Sequence, residues 1–171
     1  APTASTTAAL AMGDALAVAL YESRGFTEAD FARSHPGGKL GRRLLIYVSD
    51  IMHTGERLPI VSDSASVREA LVEMSGKGLG MTAVVDNTQR LVGIFTDGDL
   101  RRALNRGIDI YSAGIKEVMT RNPKTTRADR LAAELVQTLR TQNINGVFVV
   151  DDAGHAIGAL NTLDLLRAGV M

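Results

Sequence analysis

The chain has 171 residues, 45% hydrophobic and 22% charged, enough to bury a core as one domain or as a compact pair of repeats. Basic and acidic residues balance at 19 each, so no net charge draws the chain to nucleic acid or to an anionic membrane, and an anionic ligand must be held locally. Cysteine and an export-signal pattern are absent, which fits a reducing cytoplasm, and aromatics at 4% with no tryptophan argue against a stacking platform for single strands.

The chain opens without methionine on Ala1-Pro2-Thr3-Ala4-Ser5-Thr6-Thr7 and reads as a piece of something larger. Its hydroxyls are expected to cap an apolar helix from about Ala8 to Ser23, which Gly25 ends with a left-handed turn. Ala, Leu and Met on nearly every face suit a buried helix, packed on a sheet that the chain does not contain. With Gly13-Asp14 in its middle, its apolar part falls short of the roughly 20 residues of a membrane span, so no membrane contact is expected.

Thr27-Glu28-Ala29-Asp30 then reads as a capping box for a short helix to about Arg33. The run Ser34 to Arg43 is a glycine-rich basic loop with two readings. Either Pro36 and the glycines make turns in a connector with solvated charges, or His35 is a general acid or base beside an anion cradle of glycine amides, Lys39, Arg42 and Arg43.

From Val48 one module occurs twice, at an offset of about 65 residues. Gly93-Ile94-Phe95-Thr96-Asp97-Gly98-Asp99 returns as Gly158-Ala159-Leu160-Asn161-Thr162-Leu163-Asp164, Val84-Val85-Asp86 as Val149-Val150-Asp151 and, with a two-residue slip, Met52 as Met119. The first copy predicts an amphipathic start (Val48 to Met52), a strand near Leu58 to Val61 and a helix from about Ser66 to Ser75. A hairpin of Thr82 to Val85 with Leu91 to Phe95 follows, then a helix that Thr96 caps, running to about Asn105. The second predicts Ile115 to Met119, a strand near Lys124 to Thr126, a helix from about Ala128 to Thr141, a hairpin of Val147 to Val150 with Ala156 to Leu160, and a helix from near Thr162. A β-α-β-β-α module is too small to close its own core, so two must pack face to face.

Gly, two apolar residues, Ser or Thr, two variable residues and Asp is the signature of the cystathionine-β-synthase (CBS) domain, which the repeats resemble over about Val48 to Met171. The resemblance implies an α/β (α+β) tandem pair with pseudo-two-fold symmetry, motif one at 48–107 and motif two at 114–171. It also implies a nucleotide or related anion bound in a cleft and reported to an attached enzyme or transporter. The implied ligand-binding residues are Thr96, Asp97 and Asp99, with Met52, His53, Met81 and Thr82, and with Lys77, Arg101, Arg102 and Arg121 as candidate cations. A weaker second site comprises Asn161, Asp164, Met119, Gly146 and Val147, because Asn161 lacks the hydroxyl. Physically, a carboxylate in the first helical turn can accept both bonds of a ribose diol while the cap hydroxyl and free amides face a phosphate. Thr96 with Asp99 and Asn161 with Asp164 are equally well explained as capping boxes.

Residues 1–45 resemble the C-terminal end of a sugar isomerase (SIS) domain, a mainly helical remnant, on the runs Ala1 to Thr7, Met12-Gly13-Asp14-Ala15-Leu16-Ala17 and Ser34-His35-Pro36-Gly37-Gly38-Lys39-Leu40-Gly41-Arg42. SIS followed by a CBS pair is the order of the arabinose-5-phosphate isomerase family. That resemblance implies interconversion of D-ribulose 5-phosphate and D-arabinose 5-phosphate for Kdo and lipopolysaccharide biosynthesis, with His35 in the active site of the intact enzyme. The family's catalytic lysine and glutamates lie upstream of Ala1, so the chain alone is expected to be inactive. No metal or cofactor is expected. The expected partners are a sugar phosphate in the intact protein, a nucleotide-sugar effector (CMP-Kdo, with AMP or ATP as the alternative) and further copies in a homodimer or homotetramer. The competing reading is a structural oligomerisation module that binds nothing.

Overall fold

The structure is a computed structural model that describes residues 2–27, 30 and 45–171, in two compact units, Ala1–Leu45 and Ile46–Met171. In the first, helix α1 spans Thr3–Ser23 and so starts a turn earlier than expected. The reason lies in the hydroxyls. Thr6 and Thr7 donate back to the carbonyls of Pro2 and Thr3 instead of capping a later start, and no side chain caps the helix. The extra turn corrects a second expectation: with 21 residues and a mean hydropathy of 1.3, α1 is long and apolar enough to cross a membrane by length and composition. Nor is it buried, since Leu10, Met12, Leu16, Val18 and Leu20 are all more than half exposed.

Its end follows the expected chemistry. Gly25 takes φ +58°, its amide donates to Glu22, the Phe26 amide donates to Tyr21, and the two rings meet at 5.3 Å. Those two bonds and the apolar contact make a complete Schellman motif. The Asp30 carboxylate accepts from the Thr27 amide at 2.8 Å, as a capping box requires. The short helix to Arg33 and the loop with His35, Lys39, Arg42 and Arg43 lie outside the described residues.

In the second unit the first repeat comprises α2 (Val48–Ile51), β1 (Ile60–Ser62), α3 (Val67–Lys77), β2 (Met81–Val85), β3 (Leu91–Thr96) and α4 (Asp97–Asn105). The second comprises α5 (Ile115–Val118), β4 (Thr120–Arg121), β5 (Thr125–Thr126), α6 (Ala132–Gln142), β6 (Gly146–Val150), β7 (Ala156–Asn161) and α7 (Thr162–Arg167). One sheet runs β1-β2-β3-β4 and the other β5-β6-β7, each with a parallel first pair and an antiparallel second. Helix α6 begins at Ala132 rather than near Ala128, because the carbonyls of Ala128 and Arg130 are taken by the amides of Ser49 and Val48.

That contact is half of an exchange between the repeats. Val48 and Ala132 bond to Arg130 and Ile46, while Ile115 and Val67 bond to Ala65 and Ala113, so each repeat's opening helix joins the other repeat. Val48 is buried with Leu135, Leu139, Val149 and Leu165; Ile115 and Val118 are buried with Val67, Met74, Val84 and Phe95. The strand edges exchange too. β4 pairs with β3, through Gly93 with Arg121 and Ile94 with Thr120, and His53 makes the matching bridge to Ala159 of β7. The repeated glycine permits this approach: a Cβ on Gly93 would stand 2.5 Å from Met119 Sδ, and one on Gly158 would stand 2.5 Å from Met52 Sδ.

Between the sheets Leu58, Leu79, Met81, Ala83, Phe148 and Ala159 form a third buried cluster, which is the face-to-face packing the sequence calls for. At the edge of the exchange, Ser66 caps α3. Its hydroxyl accepts from the Glu69 amide, and the Glu69 carboxylate accepts from the Ser66 amide at 2.7 Å and hydroxyl at 2.8 Å. These bonds, the amide's first, hold the Glu69 carboxyl below its ordinary value of 4.5. A depressed carboxyl stabilises the folded state above that value and loses its contribution as pH falls through the folded one. Ser66→Ala removes the hydroxyl from this cap but keeps the amide, so it should destabilise the fold in urea unfolding at neutral pH, and somewhat less in acid.

Candidate functional site

The first-motif site is assembled where β3 meets α4. Thr96 leaves the strand in extended conformation, and its side-chain oxygen accepts from the Asp99 amide at 3.3 Å. Asp99 is 3% exposed, a buried charge that needs partners. One carboxylate oxygen accepts from the Thr96 amide at 2.9 Å and hydroxyl at 2.6 Å; the other accepts from Thr120 at 2.6 Å and Arg102 at 2.5 Å. A cleft of about 240 Å³ opens beside it, lined by Asp99, Arg102, Ala103, Asn105, Arg106 and Val118. A buried carboxylate beside two arginines can orient a diol or other donor pair while the guanidinium groups take an anion.

The second motif repeats the frame with other side chains. Asn161 Oδ1 accepts from the amides of Leu163 and Asp164 at 2.9 and 3.1 Å, so the amide replaces the hydroxyl as a cap. Asp164 Oδ2 accepts from the Asn161 amide at 2.9 Å, and Oδ1 meets His53 Nε2 at 2.9 Å. Arg57 meets the other ring nitrogen. Arginine only donates, so Nδ1 is the acceptor and Nε2 carries the proton given to Asp164.

Strand exchange therefore moves two groups from the site to which the sequence assigned them. Met52 and His53 lie against Gly158, Ala159 and Asp164 of motif two, and Met119 lies against Gly93 of motif one. Thr82 is in the core, fully buried, its hydroxyl donating to the Ala70 carbonyl at 3.3 Å and not facing an open cleft. Val147 is likewise a core residue of motif two, and Met81 is buried against Gly146, whose Cβ would stand 2.9 Å from Met81 Sδ. Asp97 is exposed, its amide donating to Gly80 at 3.4 Å. Of the candidate cations, Arg102 reaches the site, Arg121 donates to the Lys116 carbonyl, Lys77 meets Glu56 and Glu73, and Arg101 is exposed. Thr120 and Arg106 were missed. The two-residue slip that aligns Met52 with Met119 also aligns His53 with Thr120, and Arg106 follows Arg102 by one helical turn. No group of three or more metal-ligating side chains occurs among the described residues.

Two interlocked β-α-β-β-α repeats, each turning from its last strand into a helix capped by a buried carboxylate, define a paired-repeat module. The CBS domain model matches residues 48–106 and 115–170, and the chain belongs to the CBS domain family. Among curated proteins, the chain is 58% identical over all 171 residues to an arabinose 5-phosphate isomerase KdsD of Pseudomonas aeruginosa, and 52% identical to that of Escherichia coli K12. It spans about half their length, 52% of each. Among solved structures, the CBS domain pair of protein MJ0100, in complex with 5′-methylthioadenosine and S-adenosyl-L-methionine, superposes with TM-score 0.62 at 31% identity, over 71% of this chain and 98% of that one. CBSX2 in complex with AMP superposes with TM-score 0.63 at 26% identity, over 72% and 96%.

Proposed function

We propose that the chain is the regulatory part of a cytoplasmic isomerase that interconverts D-ribulose 5-phosphate and D-arabinose 5-phosphate for Kdo and lipopolysaccharide biosynthesis, and that it assembles as a homodimer or homotetramer. One observation carries this reading: the isomerase relatives match all 171 residues, including residues 1–45, which the CBS family does not account for. His35 then belongs to the active site of the whole enzyme, and α1 to its catalytic domain, whose remainder covers the apolar face left open here. An aldose–ketose isomerisation needs one group to move a proton between adjacent carbons and a second to shuttle the hydroxyl proton, and His35 cannot do both. With arabinose 5-phosphate as substrate, the intact enzyme should turn over and this chain should not. Turnover by the chain, lost in His35→Ala, would overturn the assignment.

The proposed effector site is Thr96, Asp99 and Arg102, with Thr120 and Arg106. CMP-Kdo is the favoured ligand: the activated end product of a pathway is a sensible regulator of its first enzyme, and it offers a ribose diol to Asp99, a phosphate to Thr96 and the amides of α4, and a sugar carboxylate to an arginine. AMP or ATP is the alternative, supported by the adenosine ligands of two structural neighbours. A second reading, a module that only sets oligomeric state, is favoured by one feature: the Asp99 carboxylate is already saturated by Thr96, Thr120 and Arg102.

A further inference from the structure

The two motif carboxylates are equivalent by repeat, yet what lies against them differs in bulk and in hold. On Asp99 Oδ1 the crossing strand places a threonine hydroxyl, on a residue exposed to solvent, and α4 places an arginine whose side chain is 64% exposed. Both can leave: the hydroxyl by one χ1 rotation, the guanidinium into water. On Asp164 Oδ1 the matching position, the isolated bridge to β7, places an imidazole ring, and the pair is only 13% and 10% exposed. This ring is held at three points: Nε2 on Asp164, Nδ1 on Arg57, and its backbone, which gives and takes bonds of 2.8 and 3.0 Å with Ala159.

Resting on the reading of Asp99 as a diol acceptor, we propose that His53 shuts the second motif against ligands, so that the chain takes one nucleotide, at Asp99. His53 Nε2–H supplies the donor that a ribose hydroxyl would otherwise supply to Asp164, and the ring fills the space such a hydroxyl would enter. Thr120, its counterpart by repeat, supplies a donor of the same kind without a ring. The residue at this bridging position thus decides which of two equivalent carboxylates is open. His53 also ends the segment that follows directly on residues 1–45, and its bridge to β7 and its bond to α7 fix that segment to motif two.

Calorimetry with AMP as the probe tests this on the native chain, Asp99→Asn, His53→Thr and His53→Thr with Asp164→Asn. The native chain should bind one AMP, lost or weakened in Asp99→Asn. His53→Thr, which copies motif one into motif two, should bind two, and the added Asp164→Asn should abolish the second. One AMP on native and on His53→Thr alike overturns the closure by His53 and leaves the Asp99 reading standing. No AMP on the native chain but one on His53→Thr, removed by Asp164→Asn, overturns Asp99 as an AMP site and sustains the closure. No AMP on any of them overturns the closure, which requires His53→Thr to gain a site. Should His53→Thr not fold, Arg57→Ala carries the test: it frees Nδ1 from an exposed side chain and should admit a second AMP roughly tenfold more weakly than the first. A single AMP on that variant then overturns the closure.

Discussion

Phe148→Ala should lower the unfolding free energy of residues 46–171 by about 3–5 kcal/mol, the range for deleting a fully buried aromatic ring. Phe148 is wholly buried on β6, and its cluster draws Leu58, Leu79, Met81 and Ala83 from the first repeat and Ala159 from the second. The ring thus joins the two sheets as well as filling one of them. Little can move in to fill the space, because Ala83 and Ala159 are small and Met81 is held against Gly146. Against a domain stability of about 5–15 kcal/mol this is about a fifth or more of the total. Phe148→Leu, which keeps most of the volume, should cost less than about 1.5 kcal/mol. Urea unfolding measures both, with an unchanged m-value showing that one cooperative unit is still being unfolded. A loss under about 1 kcal/mol for Phe148→Ala would contradict a core shared between the repeats.

Most elements of residues 46–171 were legible because local chemistry and tertiary packing agree there. Thr96 caps a helix that runs to Asn105, Ser66 with Glu69 caps α3, Gly107 and Gly169 take positive φ where their helices end, and both hairpins lie where apolar runs flank polar turns that begin with Asp. The exchange of strands was not legible. Thr120 and Arg121 carry no apolar alternation, and their place on β3 depends on Gly93 lacking a side chain that would strike Met119. The expected groups put Met52 and His53 with the first motif and Met119 with the second, whereas the fold crosses them, and so His53 lies on the carboxylate of the second motif. Helix α1 failed for a related reason: the Thr and Ser run reads as a cap, but its hydroxyls serve equally well inside a helix by bonding back one turn.

Asp99→Asn should weaken binding of the cytidine nucleotide-sugar by roughly ten- to a hundredfold, the equivalent of losing a charge-assisted bond worth about 1.5–3 kcal/mol. The substitution keeps the shape, and one amide oxygen can still accept from the Thr96 amide and hydroxyl, so the start of α4 should hold. What it removes is the charge that draws Arg102 and Thr120 to the other oxygen, and with it the second anionic acceptor that a diol needs. Ligand entry requires the Thr120 hydroxyl to turn away, so part of the native affinity offsets that rearrangement, and Thr120→Ala should bind no more weakly than the native chain.

Calorimetry of the native chain and Asp99→Asn with CMP-Kdo, CMP and AMP, run beside urea melts that establish folding, tests the regulatory reading most directly. The expected result is saturable binding of CMP-Kdo to the native chain, tighter than CMP or AMP, and the stated loss in Asp99→Asn with folding intact. Equal affinity in the folded Asp99→Asn chain would show that Asp99 is only a helix cap, and no binding of any of the three ligands to the native chain would show that the module is structural.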